Sequence, residues 1–115
     1  MMVRHSSGLK TLSGTDPTEL WKVTIDRSAR LTKVIIYNAD SADHIVYLGS
    51  YDGTTATQLL PGIVVSAGSN VTLKEEELPA VSVYSDSDTQ RSWAAWLDAA
   101  VTANNVEINI EVEEE

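Results

Sequence analysis

Residues 105–113 read NVEINIEVE, and the alternation in that stretch decides the fold class. Val106, Ile108, Ile110 and Val112 alternate with Glu107, Asn109 and Glu111. A period of two places the four aliphatics on one face of a strand and the polar side chains on the other, so this segment is a half-buried β-strand. Working outward, NVTLKE (70–75) and AVSVY (80–84) repeat the pattern on a shorter scale. LWKVTI (20–25), LTKVIIYN (31–38), HIVYLGS (44–50) and TQLLPGIVV (57–65) add further β-rich runs, with turn-forming residues between them. Many short strands at intervals of about ten residues predict an antiparallel β-sandwich, jelly-roll-like and all-β.

Two segments depart from this rhythm. In SWAAWLDAAV (92–101), Trp93, Trp96, Leu97 and Ala100 fall at i, i+3, i+4 and i+7, and Ser92 stands where a helix cap would. That spacing predicts a short amphipathic helix before the last strand, its tryptophans packed on one end of the sandwich. Residues 1–19 hold few large apolar side chains and several Ser, Gly and Thr, so they are expected to form a flexible N-terminal arm, leaving 20–115 as the sandwich domain. Between VIIY and IVYL lies NADSAD (38–43), whose Asn and Asp suit a turn, and this is expected to be an exposed hairpin tip with His44 at a strand edge.

Size and composition narrow the functions. A chain of 115 residues with 43% apolar content makes one globular core. Folding at this length buries roughly 65% of the unfolded chain's surface, leaving little room for an internal active-site cavity. Function should sit on loops or an outer face. There is no cysteine, which removes thiol nucleophiles, disulfides and sulfur-based zinc sites. The opening MMVRHSSGLKTLSG lacks the apolar core of a secretory signal, and no run approaches the roughly 18 apolar residues of a membrane span. Synthesis in the cytoplasm and no membrane partner are the expectations. Asn70-Val71-Thr72 matches a glycosylation sequon, which without a secretion signal reads as chance.

The net charge of −9 is unevenly spread. Residues 1–33 carry six cations against three anions, and residues 34–115 carry Lys74 and Arg91 against fourteen carboxylates. Such an acidic surface repels phosphate backbones, so nucleic acid is not the expected partner. The basic beginning of the chain is suited instead to an acidic neighbour, including another copy of itself.

Catalytic and metal-binding arrangements find little support. Nucleophilic catalysis needs a base beside a hydroxyl, and the two histidines, His5 and His44, come with no nucleophile motif. Asp86 to Asp88 and Glu75 to Glu77 supply adjacent carboxylates but lack the apolar surroundings that would raise one pKa for acid–base work. Asp40, Asp43, Asp86 and Asp88 could offer oxygen ligands to a hard cation, yet the spacing of a calcium loop is absent. The glycines form no phosphate cradle. No enzyme activity, cofactor or metal is expected, and what remains is recognition and assembly.

Read in order, LWKVTI, ARLTKVIIYNADSADHIVYLG, LLPGIVVSAGSNVTL, VSVYSDSD and the closing VEINIEVEEE resemble the layout of small tailed-phage virion structural proteins of β-sandwich type, over about four fifths of the chain. The resemblance implies a virion location and a non-enzymatic capsid decoration (cement), neck, tail or fibre part. It implies a homo-oligomer, often a trimer, seated on a capsid or other virion protein. For that role the contact residues expected are Arg4, His5 and Lys10 of the arm, with Asp40 and Asp43 as an exposed rim. The rival expectation is a glycan- or host-surface-binding module in which Trp93, Trp96, Tyr84 and Tyr51 make an aromatic platform.

Overall fold

The structure, a computed structural model, describes residues 2–115. The chain forms strands β1 (Val3–Ser6), β2 (Lys10–Leu12), β3 (Thr18–Lys22), β4 (Arg27–Asn38), β5 (His44–Tyr51), β6 (Ala56–Gln58), β7 (Ile63–Val65), β8 (Asn70–Lys74), β9 (Ser82–Ser85), β10 (Ser92–Leu97) and β11 (Val106–Glu114). They make two antiparallel sheets. The first has the order β1, β11, β4, β8, with β2 following β1 along β11 and β9 beside β8 on β4. The second has the order β3, β10, β5, β6, with β7 beside β6 on β5. The all-β sandwich expected from the sequence is the fold observed.

Alternation in β11 works as its sequence dictates. Val106, Ile108, Ile110 and Val112 are buried against Val34 and Ile36 of β4 and against the inner face of the second sheet, where Val46, Leu48, Trp93, Ala95 and Leu97 lie. Burying each of these aliphatics contributes about 1.5–3 kcal/mol, and the shared core is what holds the two sheets together. One residue breaks the register: Glu111 faces Lys33 and Val112 faces Leu31, so Thr32 is left as the extra residue of a β-bulge. Its hydroxyl is buried with no hydrogen-bond partner.

Three expectations are corrected. The stretch 92–101 is not a helix: Ser92–Leu97 is β10, the central strand between β3 and β5, and the helical element among the described residues is a short 3-10 turn at Glu75–Glu77. Trp93, Ala95 and Leu97 point into the core, and even the opposite-facing Ala94 is buried. With Ser92 and Ala94 buried and Trp96 half-buried on the outer face, the strand carries apolar residues without alternation, and a short apolar run of that kind fits both periods.

The segment expected as an arm also carries structure. Residues 3–6 and 10–12 pair with β11 as one interrupted edge strand, and the boundary expected after residue 19 falls inside β3. The interruption at residues 7–9 is built from Ser7, whose N–H donates to the Ile110 carbonyl and whose Oγ accepts from the Ile110 N–H, and from Gly8 in the left-handed region at φ +71°. The few apolar side chains here misled because an edge strand is held by main-chain bonds and needs little core of its own.

Finally, NADSAD is not a hairpin tip. β4 belongs to the first sheet and β5 to the second, so residues 39–43 form a crossover between sheets at one end of the sandwich. Asn38 anchors the turn, its amide nitrogen donating to the Ala42 and Val65 carbonyls and its Oδ1 accepting from the Asp40 N–H.

Candidate functional site

At the end of the sandwich where β4 passes to β5 and β10 passes to β11, three ionisable side chains meet. Asp40 and His44 are each only 2% exposed, contrary to the expectation of an exposed rim and a strand-edge histidine. The crossover turns Asp40 inward against the β10–β11 loop, where its carboxylate accepts the N–H groups of Thr102, Ala103 and Asn104 at 2.7–3.2 Å and the Thr102 hydroxyl at 3.0 Å. His44 reaches the same carboxylate, Nε2 to Oδ2 at 2.7 Å, and its Nδ1 lies 3.2 Å from Asp98 Oδ1. Asp98 also accepts the Ile45 N–H at 3.1 Å.

The electrostatics follow from those contacts. Burial works to raise the Asp40 pKa, but the His44 contact and the three backbone donors outweigh it and hold the carboxyl far below the ordinary range. Asp98 is likewise lowered, burial opposing and the Ile45 and His44 contacts prevailing. His44 is raised: burial works to lower it, and the two carboxylates overcome that. Chemically this cluster is a closed tie. Both Asp40 oxygens and Asp98 Oδ1 are engaged, and the Thr102 hydroxyl donates to the Asp40 carboxylate.

At the opposite end the chain's basic beginning meets its acidic close. Arg4 of β1 and Arg30 of β4 both contact Glu75 and Glu113, at 2.9–3.5 Å. Glu75 is lowered, with Arg30 the largest cause. His5 stacks on Trp21 with ring centroids 4.4 Å apart, which ties the β1 edge of the first sheet to the β3 edge of the second. Beneath them Glu114, a carboxylate at an inward position of β11, accepts the Trp21 indole N–H at 3.1 Å and the Thr24 N–H at 3.2 Å. Burial works to raise its pKa, and those two donors lower it. A cleft of about 390 Å³ opens beside this group, lined by Val3, His5, Thr24, Arg27, Glu114 and Glu115.

The contact residues named from sequence are therefore not brought together. Arg4 and His5 are engaged within the chain, Asp40 is buried at the far end, Lys10 is half-buried on β2, and Asp43 is exposed while accepting the Ala67 N–H. The four aromatics do not form one platform either. Trp93 is fully buried with its N–H donating to the Ala29 carbonyl at 2.8 Å, and Tyr84 lies exposed on the first sheet. Trp96 and Tyr51 belong to the second sheet, where Trp96 is half-buried and tilts against Tyr47 at 6.1 Å. Sequence reasoning missed Asp98 and Thr102 altogether. The one signal was the Asp at the end of an apolar run, and its partner is some fifty residues distant in sequence.

No protein-family model matches this sequence, and no curated protein matches it. Solved structures do. A chain of the cyanophage Pam1 capsid asymmetric unit aligns with a TM-score of 0.51 and 10% identity, covering 99% of this chain and 82% of that one. A chain of the acidic stable capsid structure of Helicobacter pylori bacteriophage KHP30 aligns with a TM-score of 0.50 and 13% identity, covering 99% of this chain and 92% of that one. At these identities the likeness is one of fold: the chain is a two-sheet sandwich similar, from end to end, to chains found in phage capsids.

Proposed function

We propose that this chain is a non-enzymatic structural protein of a virus particle, acting as a capsid decoration or stabilising subunit and working as a homo-oligomer such as a trimer. The observation that carries the reading is the end-to-end fold likeness to two phage capsid chains, each covered by this chain over 82% or more of its own length. Those chains are thus little longer than this one, the size of a single sandwich. The geometry supports the same reading. His44, set between two carboxylates, is buried with both ring nitrogens engaged, an arrangement suited to holding loops together rather than to turning over substrate. The net charge of −9 suits docking on a neighbour that offers cations. Of the contact residues expected from sequence, Arg4, Lys10 and Asp43 keep access to solvent and are assigned here to the contact with a neighbouring subunit.

A second reading, a glycan-binding module, is favoured by one observation: the half-buried Trp96–Tyr47 pair on the second sheet. Native mass spectrometry over a concentration series, beside a glycan array probed with wild type and Trp96→Ala, separates the two. Assembly predicts one symmetric oligomer and no glycan bound. A monomer at every concentration that binds glycans through Trp96 would overturn it.

A further inference from the structure

The two carboxylates that grip His44 are not equivalent. Asp40 lies on the β4–β5 crossover with its side chain fully buried, held by three backbone N–H groups and a hydroxyl besides the histidine. Asp98 lies at the start of the β10–β11 loop with its side chain 33% exposed, and has only the Ile45 N–H besides the histidine. The ion pairs of this end, among the described residues, involve these three groups alone. Asp43, the other carboxylate of the crossover, is exposed and turned to the Ala67 N–H of the β7–β8 turn.

Both ring nitrogens of His44 face carboxylate oxygens, so both are satisfied only when both carry hydrogen. A neutral ring has one N–H, and geometry decides where it stays. Nε2 is 2.7 Å from a fully buried carboxylate that cannot turn to water, whereas Nδ1 is 3.2 Å from one that can. The proton is retained on Nε2, and the bare Nδ1 lone pair is then left facing Asp98.

We propose that His44 is a proton-operated tie between the β4–β5 crossover and the β10–β11 loop: as imidazolium it holds both, and on losing its Nδ1 proton it releases Asp98 while keeping Asp40. The release also takes away the acceptor of the Ile45 N–H, because Asp98 turns to solvent. The anchor made by Thr102, Ala103 and Asn104 on Asp40 is unaffected. One end of the sandwich is thus firm on the acid side of the His44 titration and loosened at the start of one loop on the alkaline side. The sign is that of a group bound more tightly when protonated: the tie is complete below the ordinary histidine value of about 6.5 and is lost as pH rises through the higher folded value.

The test uses the full chain and reads two things across a pH series: the ring nitrogen signals of His44 by ¹⁵N NMR, and intrinsic-rate-corrected exchange protection of individual amides. The expected result is a His44 midpoint above the ordinary value, with Nδ1 deprotonating and Nε2 retaining hydrogen. Protection at Ile45 should fall about tenfold for each unit by which that midpoint exceeds the midpoint of Asp98→Asn. Protection at Thr102, Ala103 and Asn104 should stay constant over the same range. In Asp98→Asn the midpoint should drop towards the ordinary value while Thr102–Asn104 protection persists, which also reports that the variant is folded. An unraised midpoint in the wild type, loss of hydrogen from Nε2 instead, or Ile45 protection that ignores the titration would each overturn the proposal.

Discussion

Trp93 is the residue on which the sequence pattern was most ambiguous and the structure most definite. It is fully buried between the sheets, and its indole N–H finds the Ala29 carbonyl of the opposite sheet, so the largest side chain of the core has no unsatisfied polar atom. Trp93→Ala should therefore cost about 3–5 kcal/mol in a denaturant or thermal melt, through lost burial and the cavity left behind. Trp96→Ala, at a half-buried position on the outer face, should cost markedly less in the same melt. Glu114 makes a prediction with a sign. Its folded pKa is lowered, so it adds stability above its ordinary value that is lost as pH falls through the folded one. Glu114→Gln should be less stable than wild type at neutral pH, and the gap should close below about pH 4 in melts run across pH. How little of this was legible is a matter of distance along the chain. Asn38 and Asp40 announce a turn by their chemistry, but that Asp40 faces inward depends on donors at residues 102–104, and no local pattern carries that information.

Among the elements, β11 was readable because one face meets the core and the other does not, which writes the burial directly into the sequence. β10 was not, because β3 and β5 flank it on both sides and Trp93, Trp96 and Leu97, which belong to this central strand, also fall with the exposed Ala100 on a helical stripe. The crossover from β4 to β5 was mistaken for a hairpin for a related reason: two aliphatic strands joined by a short polar turn look alike whether they pair with each other or stand in facing sheets. β6 illustrates a constraint that a glycine carries. A Cβ on Gly49 would lie 1.8 Å from the Thr57 carbonyl oxygen, so the short β6 strand can approach β5 only where no side chain intervenes. Gly49→Ala should push β6 away at about 1–3 kcal/mol, with amide exchange rising at Ala56–Gln58 and unchanged along β11. If β11 loosened equally, the approach of β6 would be part of the whole core rather than a local contact.

For the whole molecule, the sequence carried the architecture through its many short strands and its lack of cysteine, while the strand order had to come from the structure. The charge asymmetry was legible but its partner was not. Two of the six cations in the basic beginning of the chain pair within the chain: Arg4 and Arg30 bracket Glu75 of the 3-10 turn and Glu113 of β11, which helps hold β1 to the sheet. What is left facing outward is largely acidic, which is why the neighbour that this account assigns to the subunit is one offering positive charge. The central claim is that this sandwich is a part of a virus particle. Its most direct test is quantitative mass spectrometry of density-purified particles produced by the virus whose genome encodes the chain. The account predicts the protein in those particles at a fixed ratio to the shell protein, as symmetry-related sites require. Its absence from purified particles, with abundant soluble protein left in the lysate, would contradict the account.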